Sequence, residues 1–307
     1  MPTPSSAPRS LQSGSGMLSP DEVRRLDRVT LDLSSAAPVA TAWGRRVARA
    51  RGAGLEFHDF RRYQPGDDPR AIDWTIYGRL RQLVVREFRA DAHLQILVVV
   101  DQSASMSLGT PDKLSCAKKL ASLLGYVAVR QQDAFGIATF DATIQRFLRP
   151  ARGQPQLLRM LELLDHVGAQ GQSSVTSALV DLGALVHGPG LVVVMSDFFD
   201  PAGTVEGVRY LTYRGLTPAL VQIVAAEEIN PEIEEAELID VEDRSAPPLW
   251  VDPNAMAAYR RCVTTLSTNL REFCLLSRLR WLQVTSSCPF EQLLQALLDA
   301  GLVAAQG

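Results

Sequence analysis

The feature that most constrains this chain is a rhythm that begins at Leu94. From there, short apolar runs alternate with segments that repeat apolar residues at helical spacing. Leu94–Val100, Ala134–Phe140, Leu191–Met195 and Pro218–Val224 have strand length. Unbroken apolar runs of that size belong to strands buried on both faces. Residues 113–130, 154–166, 174–187 and 204–214 fit helices between them, and Thr143–Leu148 fits a short strand. This alternation predicts an α/β fold, a doubly wound and mostly parallel sheet with helices on both faces. Farther on, Leu238–Val241 and Leu249–Val251 are expected to pair across the Pro247-Pro248 break. A helix over 254–276, a strand over Arg280–Thr285 and a helix over Phe290–Leu298 complete the pattern.

The first third of the chain reads differently. Residues 1–18 are rich in Ser, Pro and Gly, which predicts a disordered tail, and no apolar stretch follows Arg9 as a secretory leader requires. Ser19-Pro20-Asp21-Glu22 then stacks a Ser N-cap, a first-turn proline and two first-turn acids. Val23, Leu26, Val29 and Leu33 continue at helical spacing, so a helix is expected as far as Ser34. Residues 43–90 are dense in arginine, but Glu56, Asp59, Asp67, Asp68, Asp73 and Glu87 are interleaved with it. That interleaving favours Arg–carboxylate pairing inside a fold over nucleic-acid binding. The net charge of −3 adds no bulk attraction to nucleic acid. Gln64-Pro65-Gly66-Asp67-Asp68 is a turn, and Trp74 is expected to anchor this segment.

The expected division is a tail over 1–18, an N-terminal accessory segment over 19–91 and an α/β domain over 92–307. No apolar run nears the ~20 residues that cross a bilayer. Four cysteines without a Cys-x-x-Cys pair point to the cytoplasm. Cys116, Cys262 and Cys274 fall on predicted helices as small buried hydrophobes. The acidic block Glu227–Asp243 reads as a solvated face or loop.

Chemistry concentrates where the first buried strand ends. Asp101-Gln102-Ser103-Ala104-Ser105 puts a carboxylate and two hydroxyls on one loop at the carboxyl end of a predicted parallel strand, the edge where open sheets bind ligands. Such hard oxygen donors suit Mg2+. Gly171-Gln172-Ser173-Ser174 offers hydroxyls before a later helix, and the strand Leu191–Met195 runs into Ser196-Asp197. A strand with Asp-x-Ser-x-Ser, a hydroxyl loop and a strand with Asp, in that order, resembles the metal-ion-dependent adhesion site of von Willebrand factor A domains, over about residues 92–225.

Upstream, Gly54-Leu55-Glu56-Phe57, then Arg62 to Trp74 with its Pro-Gly-Asp-Asp core, then Val85-Arg86-Glu87-Phe88 resemble the domain-of-unknown-function 58 family. That family joins this signature to a von Willebrand A-like domain. The resemblance implies metal contacts from the Ser103 and Ser105 hydroxyls, with Asp101 and Asp197 acting mainly through metal-bound water. Ser173 stands where the family usually has threonine, and Ser174 or Thr176 could take its place. It also implies an ion, Mg2+ or Mn2+, with one position open for an Asp or Glu of a protein partner. The partner implied is a MoxR-type AAA+ ATPase or its client, in chaperone-like assembly or stress response.

Three functions compete at this point. The first is a non-enzymatic, metal-dependent interaction module. The second is a metal-assisted hydrolase or phosphatase using Asp67, Asp68 and Asp73 with Asp101 and Asp197. Against it, the chain has neither Gly-x-Ser-x-Gly nor a phosphate-binding Gly-x-x-x-x-Gly-Lys-Ser/Thr. The third is a scaffold with a vestigial site, suggested by serine at position 173.

Overall fold

The structure is a computed structural model that describes residues 18–32, 55–63, 72–90, 95–229, 236–238, 242, 249–251 and 253–305. The described residues form two compact units, one from elements before residue 37 and after residue 93, the other from elements between them. In chain order the strands are β1 (Val29–Leu31), β2 (Leu55–Arg62), β3 (Val84–Ala90), β4 (Gln95–Asp101), β5 (Ala134–Phe140) and β6 (Ile144–Ala151). They continue as β7 (Gly190–Ser196), β8 (Thr217–Val224), β9 (Ala236–Leu238), β10 (Leu249–Val251), β11 (Arg280–Thr285) and β12 (Val303–Ala305). The helices are α1 (Pro20–Leu26), α2 (Trp74–Leu80), α3 (Lys113–Arg130), α4 (Gln154–Asp165) and α5 (Val175–Leu185). After them come α6 (Pro201–Tyr213), the single turn α7 (Ala226–Ile229), α8 (Pro253–Leu276) and α9 (Phe290–Asp299).

The main sheet has the order β11-β8-β7-β4-β5-β6. All its pairings are parallel except β5 with β6. The mixed α/β architecture expected from the apolar rhythm is the one found. Because every parallel strand is covered twice, its alternate residues feed two separate cores. Ile96, Val98 and Val100 of β4 face the core built with α3, α4 and α9, while Leu97 and Val99 face the one built with α5, α6 and α8. Helix α3 is the central element of the first core, with Leu120, Ala121, Leu123 and Leu124 all fully buried.

This sheet reverses its strand order beside β4, since the chain leaves β4 for β5 on one side and later returns to β7 on the other. The carboxyl ends of β4 and β7 therefore flank a crevice of the kind that receives ligands in doubly wound folds. Asp101 closes β4, and Ser196 closes β7.

The first helix stops earlier than its spacing predicts. Ser19 and Glu22 form a reciprocal capping box, yet α1 ends at Leu26 and Val29–Leu31 becomes a strand paired antiparallel with β12. Val29 and Leu31 are both buried in this extended form, so burial and a distant strand partner override local helical spacing. Residues 20–31, grouped with the accessory segment on sequence grounds, thus pack with the sheet unit. The expected pairing across the Pro247-Pro248 break is present as a short antiparallel ribbon of β9 and β10, with β9 at Ala236–Leu238, earlier than its expected position.

The second unit is a hairpin of β2 and β3, registered from Leu55 opposite Ala90 to Arg62 opposite Val84, with an irregularity between Phe57 and Asp59. Helix α2 lies between these strands in sequence, and Asp73 caps it by accepting from the amides of Thr75 (2.9 Å) and Ile76 (3.1 Å). Trp74 opens this helix, and its ring meets Tyr77 edge-on at 6.0 Å. The expected tail and the Gln64–Asp68 turn, with Asp67 and Asp68, lie outside the described residues.

Cys116 and Cys274 are buried, and burial pushes each thiol up to about 12. Cys262 is exposed instead. The inward stripe of α8 runs through Met256, Val263, Leu270 and Cys274, and Cys262 falls one residue off it. No helix among the described residues is long and apolar enough to cross a membrane.

Candidate metal centre

Asp101 is fully buried, and three serines converge on it. Its Oδ1 accepts the Ser103 amide at 2.8 Å, so the carboxylate folds back on its own loop. Its Oδ2 accepts the hydroxyls of Ser196 (2.6 Å) and Ser173 (3.0 Å). Ser103 Oγ in turn lies 3.1 Å from Ser105 Oγ. The loop residues Asp101, Ser103 and Ser105 are thereby joined to the distant Ser173 in one hydrogen-bonded chain.

The backbone explains why the two serine loops meet. Gln102 N–H donates to Phe140 O and Gln102 O accepts from Gln170 N–H, both at 2.7 Å, while Ala104 N–H donates to Gly171 O at 2.9 Å. Gly171 holds φ +81°, and a Cβ there would come within 3.1 Å of Asp141 Oδ2. The left-handed conformation favours glycine there, and a side chain would also press on Asp141. Asp141 O then accepts the Ser174 amide at 3.0 Å, which fixes the start of α5.

The two alternatives to Ser173 point elsewhere. Ser174 Oγ donates to Ser177 Oγ within its own helix. The Thr176 hydroxyl lies against Gly203 of α6. Of the three hydroxyls, Ser173 is the one bonded to Asp101.

Asp197 is buried at the end of β7, and its carboxylate is the charged neighbour of Asp101. Phe198 follows in the left-handed region at φ 54°, a conformation costing a non-glycine residue roughly 1–2 kcal/mol. It is stabilised by donation of its amide to Ser196 Oγ at 3.1 Å. The strained turn sets the direction in which Asp197 leaves the strand. Asp197 Oδ2 accepts from Lys113 Nζ at 2.8 Å, and Lys113 also donates to Glu228 Oε1 at 2.6 Å.

Lys113 and Glu228 are residues that sequence reasoning missed. Lysine at a helix start carries no special signal, and Glu228 belongs to a block read as solvated. Glu228 is in fact buried, whereas Glu227 beside it is exposed. The rest of that block, including Glu232, Glu234 and Glu235, lies outside the described residues. Glu242, described on its own, accepts the Ser173 amide at 3.2 Å and receives the Gln172 side-chain amide on its carbonyl at 3.3 Å. Asp73, a candidate in the hydrolase reading, is committed to capping α2.

The electrostatics fit a cation. Burial first, and the charge of Asp197 second, push the Asp101 carboxyl up to about 6, against the lowering effect of hydrogen bonds from Ser196 and Ser103. Ionised, the buried carboxylates of Asp101, Asp197 and Glu228 oppose one ammonium, Lys113, and leave this cluster with a net charge of −2. One divalent ion balances that charge, and hydroxyl and carboxylate oxygens are the donors that Mg2+ or Mn2+ takes. Asp101, Ser103, Ser105, Ser173 and Asp197 are the residues that could hold it.

Comparison with known proteins gives one family. The model described as "Protein of unknown function DUF58" matches residues 59–268. Uncharacterized proteins of Mycobacterium tuberculosis and Mycobacterium bovis are each 29% identical over 200 residues, which is 62% of this chain and 60% of theirs. The chain thus matches less than two thirds of the length of these curated relatives. Among solved structures, an aerotolerance-related membrane protein of Bacteroides fragilis is 15% identical with a TM-score of 0.42, over 67% of this chain and 99% of that one. The vWF domain of the type V pili tip protein Mfa5 of Porphyromonas gingivalis is 10% identical (TM-score 0.41; 68% and 96% covered). The manganese-loaded TRAP protein of Plasmodium vivax is 16% identical (TM-score 0.39; 70% and 78% covered).

Proposed function

Because the chain belongs to the DUF58 family, we propose that it is a non-enzymatic protein-interaction module that binds its partner through a divalent cation at the carboxyl edge of its sheet. Ser103, Ser105 and Ser173 contact the ion through their hydroxyls, and Asp101 and Asp197 hold its water ligands. The bound ion, Mg2+ or Mn2+, supplies a positive centre with one position open to a carboxylate. The chain's own residues orient that centre, balance its charge and exclude water from its inner side. No bond is made or broken.

The observation that carries this is the convergence of the Ser173 and Ser196 hydroxyls and the Ser103 amide on the buried Asp101 carboxylate, with Ser105 Oγ bonded to Ser103 Oγ and the buried Asp197 carboxylate close by. A buried arrangement that repels itself without a cation is costly to keep unless a cation is bound. Partner recognition by an acidic side chain follows from the hard, positive character of such a centre.

The partner implied by family membership is a MoxR-type AAA+ ATPase, or its client, presenting an Asp or Glu in chaperone-like assembly or stress response. The cytoplasm is the matching compartment. The test is capture of a purified MoxR-type ATPase from the same cell by the immobilised protein, with Mg2+, with EDTA and with Asp101→Ala. Capture is expected with Mg2+ alone. Capture unchanged by both EDTA and the substitution overturns the proposal.

A further inference from the structure

Lys113 is the first residue of α3 and has no exposed surface. Burying an ammonium is expensive unless it is paired and hydrogen-bonded. Here Asp197 Oδ2 and Glu228 Oε1 both accept from it, at 2.8 and 2.6 Å, and the Phe199 ring lies 5.1 Å from Nζ. Glu228 is held independently, since its Oε2 accepts the Ala225 amide at 2.8 Å, and the backbone of Asp197 is fixed where its carbonyl accepts Gln222 Nε2 at 3.1 Å. The ammonium is therefore locked between β7, α3 and α7.

We infer that Lys113 is the fixed internal counter-ion of the candidate metal centre, and that with Glu228 it sets the charge preferred in the bound ion. The inference deepens the proposed function and rests on that reading of the site. Two consequences follow from the geometry. With Asp197 Oδ2 committed to Lys113, that carboxylate has its other oxygen left for an ion or its water. With Asp101, Asp197, Glu228 and Lys113 all ionised, their summed charge takes a stepwise series of values: −2 in the parent, −3 without the lysine, −1 without the glutamate, and −2 again without either. Attraction for a cation scales with that charge in a poorly solvated setting, and it scales more steeply for a trivalent ion than for a divalent one.

The test uses the full chain and two probes, Mn2+ followed by electron paramagnetic resonance and Tb3+ followed by luminescence. Lys113→Met keeps roughly the side-chain volume and removes the charge. It is expected to raise the Tb3+:Mn2+ affinity ratio by at least about tenfold. Glu228→Gln is expected to lower that ratio, and the double variant to return it to within about threefold of the parent. The double variant removes a buried pair together, so it keeps the test available if Lys113→Met does not fold. A role in packing alone would not move the ratio in this order. Mn2+ binding that depends on Asp101, with a ratio indifferent to Lys113 and Glu228, overturns the inference and leaves the metal centre standing. Failure of the parent to bind either ion overturns both.

Discussion

Ser173 Oγ donates to Asp101 Oδ2 across 3.0 Å, although the two residues are 72 positions apart. The bond joins the loop after β4 to the loop before α5. It also singles out one serine among neighbouring hydroxyls. Ser173→Ala is expected to weaken Mn2+ binding by on the order of tenfold, as loss of an oriented ligand or its support does. Ser174→Ala, whose hydroxyl bonds Ser177, should leave affinity within about twofold. Isothermal titration of both variants checks this, and equal losses would sink the assignment.

Gly171 holds the Ser173 loop at φ +81° with Asp141 against its Cα. Gly171→Ala should introduce strain of about 1–2 kcal/mol and displace the loop. The expected signature is weaker Mn2+ binding together with a lower urea midpoint. Unchanged binding would mean the loop does not depend on that conformation.

Glu22 closes the capping box of α1 and pairs with Lys119 at 2.6 Å. Burial alone would raise its pKa, but bonds from Lys119 and Ser19 and the Lys119 charge outweigh it and lower the carboxyl below its ordinary 4.5. A lowered folded-state pKa gives stability that is present above the unfolded value and lost as pH falls through the folded one. Glu22→Gln should therefore cost about 1 kcal/mol at pH 7, with the difference from the parent shrinking below pH 4.5. Urea denaturation at both pH values measures it.

Leu124 is fully buried on α3, in the core beneath the sheet. Leu124→Ala should destabilise the protein by about 2–5 kcal/mol through lost transfer energy and a residual cavity. Denaturant unfolding checks the value, and a loss below about 1 kcal/mol would mean that the surroundings collapse to fill the space.

Much of the sheet domain was legible in the chain. Strands buried on both faces are largely apolar, and helices packed on them repeat at 3.6 residues, so β4, β5, β7 and β8 stand out without any tertiary information. The exceptions are informative. Val29 fits a helix stripe with Val23 and Leu26, and with Leu31 it fits a strand of period two; the pairing with β12, from the far end of the chain, decides between them. Cys262 is exposed where a buried residue was expected, because composition reports how apolar a residue is, whereas exposure depends on which face of a helix finds a neighbour.

The candidate centre divides along the same line. Asp101, Ser103 and Ser105 share one loop, so local sequence alone determined their proximity, and Asp197 was marked by its place after a buried strand. The choice of Ser173 over Ser174 and Thr176 depended on loop backbone bonds to Gln102 and Ala104. Lys113 and Glu228 became part of the centre only through folding, 115 residues apart. Periodicity and short-range spacing specify which elements form and which polar groups end them. The pairing of buried charges is a property of three-dimensional packing, because the cost of burying each one is met by a partner that sequence distance does not identify.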